Sequence, residues 1–148
     1  MEFSFQFLEG AAFLHHHGIA HLDIKPQNLV VILGQLFIID FDLSVRVSGS
    51  DALIDRWCGT PKWMAPEIGN QDGPRRSYSP IRADLWSCGL ILQYLTSNSA
   101  DKEDDHLKAL TKRLLNINPQ LRPLLHLRSS ATVGHSSSEV EGRLKRTG

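Results

Sequence analysis

Hydrophobic and polar residues alternate along the chain in distinct rhythms, and each rhythm predicts an element. Between residues 3 and 17, apolar positions fall at Phe7, Ala11 and Leu14 and again at Leu8, Ala12 and His15, the spacing of one helix face. Gly18 stands where a left-handed residue would end that helix. From Leu29 the rhythm shortens to two β-rich runs, Leu29–Leu33 and Leu36–Ile39, on either side of Gly34-Gln35. A glycine at the first of two loop positions suits a type II′ turn, so a β-hairpin is predicted there. Residues 41–83 are punctuated by Gly49, Gly59, Pro61, Pro66, Gly69, Gly73, Pro74 and Pro80, which predicts a long irregular segment. Leu85–Leu95 is apolar nearly all round, as a buried central helix is, with Asp84 marking its start. A further helix is predicted over 104–116, with Asp104 and Asp105 at its positive end, a stripe of Leu107, Leu110 and Leu114, and Pro119 beyond it. Past Arg128, serines and scattered charges replace apolar residues, and 129–148 is expected to be a disordered Ser-rich tail.

Composition narrows the choice of partner. A chain of 148 residues with 41% hydrophobic and 22% charged residues fits one globular unit. Its 16 basic residues balance 16 acidic ones, so whole-chain charge gives no case for nucleic acid. The greasiest stretch, 29–39, is broken by Gly34-Gln35 and falls short of the ~20 residues of a spanning helix. The first five residues lack the basic region of a signal peptide, and no membrane partner is expected. Cys58 and Cys88 are too few for a disulfide scaffold and point to a reducing, intracellular compartment, cytoplasmic or nuclear.

Candidate chemistry gathers around the hairpin. The run His21-Leu22-Asp23-Ile24-Lys25-Pro26-Gln27-Asn28 precedes it, and Asp40-Phe41-Asp42 follows it. Folding the hairpin therefore brings four groups suited to phosphoryl transfer together. Asp23 can accept a hydroxyl proton, Lys25 can neutralise a phosphoryl oxygen, and Asn28 and Asp40 offer oxygen ligands to the hard ion Mg²⁺. Asp23, Asn28 and Asp40 also suit ordinary turns. Consecutive residues on a helix point about 100° apart, so His15-His16-His17 does not converge on one metal ion. Arg75 and Arg76 with Arg82 read either as solvated surface or as a dock for an acidic partner. Cys58 and Cys88 read as small packed hydrophobes. Thr60, Ser44, Ser48 and Ser50 read as phosphorylation sites or as plain polar loop residues.

Five ordered motifs over residues 8–127 resemble the eukaryotic serine/threonine protein kinase family. His21-Leu22-Asp23 to Asn28 resembles its catalytic loop, Asp40-Phe41-Asp42 its Mg²⁺-binding motif, and Ala65-Pro66-Glu67 the end of its activation segment. Asp84-Leu85-Trp86-Ser87-Cys88-Gly89 is similar to the start of its central helix, and Asn118-Pro119-Gln120-Leu121-Arg122-Pro123 to its late Arg-containing turn. The resemblance implies a mainly α fold, the C-terminal large lobe of a protein kinase over residues 1–128, with a small β-hairpin at the catalytic loop. It implies transfer of the γ-phosphate of ATP, with Mg²⁺, to a Ser or Thr of a protein substrate. Asp23 would be the base, and Lys25, with Thr60, would mark serine/threonine specificity. Asn28 and Asp40 would hold Mg²⁺, and Leu29, Val30 and Val31 would form the floor under the adenine. Glu67 and Arg122 would make a buried ion pair, Asp84 would cap catalytic-loop amides, and His21 and Phe41 would stack.

The departures from the family carry expectations of their own. Leu22 replaces the usual arginine, so control through a phosphate gripped at that position is not expected. Asp42 replaces the usual glycine, as in some fungal kinases; it restricts the backbone there, but Asp tolerates positive φ better than most residues and the change is not read as inactivating. No Gly-rich loop or strand lysine precedes His21, so the N-terminal β lobe is expected to be missing and the chain by itself inactive. The competing reading is a truncated or pseudokinase-like module that only binds a partner protein.

Overall fold

The computed structural model describes residues 2–97 and 104–127; the predicted Ser-rich tail lies outside the described residues. Among the described residues three α-helices and two small antiparallel sheets make up the fold: α1 (Glu2–His16), β1 (Ile19–Ala20), β2 (Leu29–Ile32), β3 (Gln35–Ile38), β4 (Val45–Arg46), α2 (Pro80–Ser97) and α3 (Asp105–Leu114). The stripe read from the sequence places Phe7 and Ala11 of α1 at zero exposure, packed with Leu85, Ile91 and Leu92 of α2 and Leu107 and Leu114 of α3. Gly18 ends α1 at φ +68, and a Cβ there would lie 2.5 Å from the Val47 carbonyl oxygen. That close approach lets Val47 N donate to Gly18 O at 2.8 Å and carries β4 antiparallel beside β1. This pairing had no signal in residues so few.

Two local expectations are corrected. The hairpin turns at Leu33-Gly34, φ +50 and +80, the two positive angles of a type I′ turn, and Ile32 pairs with Gln35. The Gln6 side chain of α1 fixes this register, accepting from Leu36 N at 2.7 Å and donating to Gly34 O at 3.2 Å. Gln35 is thereby held in the strand. The central helix begins at Pro80, four residues before Asp84. Ser79 caps it by accepting from Arg82 N at 3.1 Å, and a proline in the first turn loses no hydrogen bond. Asp84 is thus inside the helix, its side chain turned toward the loop after β1. The third helix matches its prediction, with Asp104 accepting from His106 N at 2.8 Å as its cap.

A second core lies under the irregular segment, where Leu22, Cys58, Ile68, Tyr78 and Ile81 are buried together. Short 3₁₀ turns at Pro61–Trp63 and Pro66–Ile68 shape this segment. An isolated bridge between Ile54 and Tyr78 returns it to the start of α2.

Candidate active site

The loop between β1 and β2 is suspended from α2. Asp84, 1% exposed, accepts from His21 N at 2.6 Å and from Leu22 N at 2.8 Å. Leu22 sits in the left-handed region at φ +65, where a leucine is strained, and the bond to Asp84 helps to hold it there. Its side chain is buried. The His21 ring completes the frame: Asp23 N donates to Nδ1 at 3.2 Å, so Nε2 carries the proton and donates to Ile39 O at 3.0 Å. Phe41 lies against that ring at 5.0 Å between centroids. The bond from Ile39 N to Asn28 O, 3.0 Å, closes the base of the hairpin and sets Asp40 beside Asn28.

Asp23 is the centre of the arrangement. Its Oδ2 lies 2.7 Å from Lys25 Nζ, its Oδ1 accepts from Thr60 Oγ1 at 2.7 Å, and Lys25 Nζ donates to Thr60 Oγ1 at 2.9 Å. Asn28 Nδ2 donates to Asp23 O at 2.9 Å and to Oδ2 at 3.3 Å. Burial by itself would raise the Asp23 pKa. The bonds from Lys25 and Thr60, the Lys25 charge and the Asn28 bond outweigh it and hold the carboxyl below its ordinary value. Asp23 is therefore an ionised acceptor at neutral pH with a hydroxyl seated on it. Thr60 reaches this position because Gly59, at φ +113, comes so close to the Leu22 carbonyl that a Cβ would stand 2.8 Å from its oxygen.

Asn28 spends its amide nitrogen on Asp23, and its oxygen accepts no bond among the described residues. Asp40 is exposed at φ +65. One amide oxygen and one carboxylate, the donor types of Mg²⁺, thus lie at the hairpin base. The left-handed residue of this motif is Asp40, and Asp42, which stands in the glycine's place, is not at positive φ. The hairpin pleat also separates the residues placed under the adenine. Leu29 and Val31 share a face with Leu36 and Ile38, and Leu29 packs against the core, whereas Val30 pairs with Phe37 on the opposite face. The three do not form a single floor.

Glu67 and Arg122 form the bidentate pair that was expected, with NH1 to Oε1 at 2.5 Å and NH2 to Oε2 at 2.9 Å. Several contacts had no sequence signal. His15 Nε2 lies 3.1 Å from Asp84 Oδ2; the helical stripe indicated its burial but not its partner. Arg56 donates to the Leu43 carbonyl at 2.7 Å, and Tyr78 Oη donates to Arg56 O at 2.6 Å. Arg82 is buried and donates from Nε to Asp51 at 2.8 Å, so it is no part of a solvated arginine cluster.

A family model for the protein kinase domain matches residues 1–122. CBL-interacting serine/threonine-protein kinase 26 of Arabidopsis thaliana is 38% identical over 113 residues, 74% of this chain and 25% of its own length. CBL-interacting protein kinase 5 of Oryza sativa subsp. japonica is 40% identical over 114 residues, 74% of this chain and 24% of its own. The chain spans about a quarter of the length of these relatives. No helix among the described residues is long and apolar enough to cross a membrane.

Proposed function

The chain belongs to the eukaryotic serine/threonine protein kinase family, and from that premise we infer that its site transfers the γ-phosphoryl group of MgATP to a serine or threonine hydroxyl of a protein. The observation that supports this most is the hydroxyl of Thr60 held 2.7 Å from the Asp23 carboxylate and 2.9 Å from Lys25 Nζ. An acceptor hydroxyl presented to the same carboxylate is oriented for attack, with Asp23 ready to take its proton. The Lys25 ammonium, 2.7 Å from Asp23, is placed to offset negative charge on the phosphoryl oxygens. Asn28 and Asp40 are the residues that would hold Mg²⁺, whose charge neutralises the triphosphate when bound. Residues 1–128 on this reading form the large helical lobe, and Val30 meets the nucleotide from the hairpin's outer face. Free Cys58 and Cys88 agree with an intracellular site of action.

The test is a chimaera in which residues 1–122 replace the matching segment of the Arabidopsis relative. It should phosphorylate Ser/Thr peptides, and Asp23→Asn should lower kcat by about 10² to 10⁴-fold. A folded chimaera with no transfer would support the partner-binding reading instead.

A further inference from the structure

Next in the chain to the acceptor hydroxyl site lie two adjoining cavities that hold none of the residues assigned to phosphoryl transfer. Pro61 follows Thr60 and, with Met64 and Trp57, lines a largely open cavity of about 550 Å³. Trp57, Asn70 and Gln71 form a wall shared with a second cavity of about 360 Å³. The indole of Trp57 is fixed in that wall by donating to Gly69 O at 3.3 Å. Three guanidinium groups line the second cavity, from Arg56, Arg75 and Arg76, against the two carboxylates of Asp55 and Asp72. Arg56 is committed to the Leu43 carbonyl through one nitrogen, leaving its other donors toward solvent. Arg75 and Arg76 are exposed and make no hydrogen bond or ion pair among the described residues. Unpaired guanidinium forks suit planar carboxylate and phosphate, each able to take two parallel N–H bonds.

We propose that this second cavity is a specificity subsite for acidic side chains, carboxylate or phosphorylated, on a peptide whose Ser or Thr lies at Asp23. The proposal rests on the reading of Asp23 as the acceptor's base, and it adds the substrate class. Trp57, Asn70 and Gln71 line both cavities, so the two adjoin, and Pro61, next in the chain to Thr60, lines the first of them. A net positive lining attracts acidic segments and rejects basic ones.

The experiment measures binding of fluorescent peptides to the purified chain without nucleotide. The probes carry one serine, an adjacent isoleucine, and alanines, aspartates, lysines or a phosphoserine at positions scanned on both sides. An acidic probe should bind about five- to tenfold tighter than its alanine counterpart, and the difference should shrink as salt shortens the screening length. Arg75→Ala with Arg76→Ala should abolish the difference while leaving the alanine probe unchanged. Charge reversal, Arg75→Glu with Arg76→Glu, should turn the preference toward lysine probes, which shows that the loop still folds. Equal binding of acidic and neutral probes, or an acidic preference that survives both double variants, overturns the proposal. Asp23→Asn should keep the preference. Acidic binding by a chain whose chimaera transfers no phosphate would refute the kinase reading alone, and transfer without acidic preference would refute this subsite alone.

Discussion

Removing the Glu67 carboxylate should be among the most damaging single changes outside the hydrophobic core. Arg122 is 2% exposed, and both of its terminal nitrogens rest on Glu67. Without Glu67 the guanidinium stays buried and charged, and stranding one member of such a pair costs about 3–5 kcal/mol. Arg122 keeps two carbonyl acceptors, Asn116 O at 2.9 Å and Arg82 O at 2.8 Å, and the Trp86 ring at 5.1 Å. These contacts place Glu67→Ala near the lower figure, about 3 kcal/mol. In urea unfolding the midpoint should fall by about 1–3 M at constant slope, since slopes for small domains are about 1–3 kcal/mol per M. Salt should change the loss little, because a desolvated pair is weakly screened. The double variant Glu67→Ala, Arg122→Met removes both charges and should cost less than the two single changes added together. A single-variant loss under about 1 kcal/mol, typical of an exposed pair, would refute the reasoning. Strict additivity in the double variant would refute it as well.

Four further outcomes are expected. Gly18→Ala forces a Cβ to within 2.5 Å of Val47 O at φ +68 and should lower the melting temperature, with a loss above about 1 kcal/mol. The Asp23 carboxyl has its folded pKa depressed below 3.8, so its contribution to stability is complete above that value and is lost as pH falls through the folded pKa. Asp23→Asn should therefore flatten the acid limb of stability against pH, and an unchanged limb would contradict the assignment. In an active chimaera, phosphatase treatment should leave the rate nearly unchanged, because Leu22 is buried and offers no cation; a large loss that Arg46→Ala or Arg56→Ala reproduces would show that the phosphate is gripped there instead. Residues 1–148 alone should turn over far below the about 1–100 s⁻¹ of typical kinases, as measured by transfer of labelled phosphate, because positioning of the triphosphate supplies most of the catalysis.

Features set by residue type at fixed spacing were legible in the sequence. The Asp23–Lys25–Asn28 cluster and the helical stripe through Phe7 and Ala11 follow from residue type at short spacing, whereas the Glu67–Arg122 pair and the Asp84 caps were legible only through the resemblance of their motifs to the kinase family. Features set by distant contacts were not. The turn at Leu33-Gly34 depends on a glutamine in α1, and an exposed leucine at φ +50 has no local reason to be there. The separation of Leu29 and Val31 from Val30 is a property of strand pleating and not of residue type. Asp84 looked like a helix start because acids favour that position, yet Ser79 and Pro80 already supplied a better cap and first turn. Arg82 shared its charge with Arg75 and Arg76, and only its seat on α2 beside Asp51 separates it from them.

The suspension of the β1–β2 loop from Asp84 ties the frame around Asp23 to the packing of α2. The carboxylate that holds His21 and Leu22 belongs to a helix whose Leu85, Cys88, Ile91 and Leu92 are entirely buried, so the loop's main anchor lies in the central core. Heating such a protein leaves no interval in which the fold persists and the loop has let go. In an active chimaera the thermal inactivation curve and the unfolding curve should coincide, and a substitution that loosens α2 should lower both together, even when it lies a full helix turn away from Asp84.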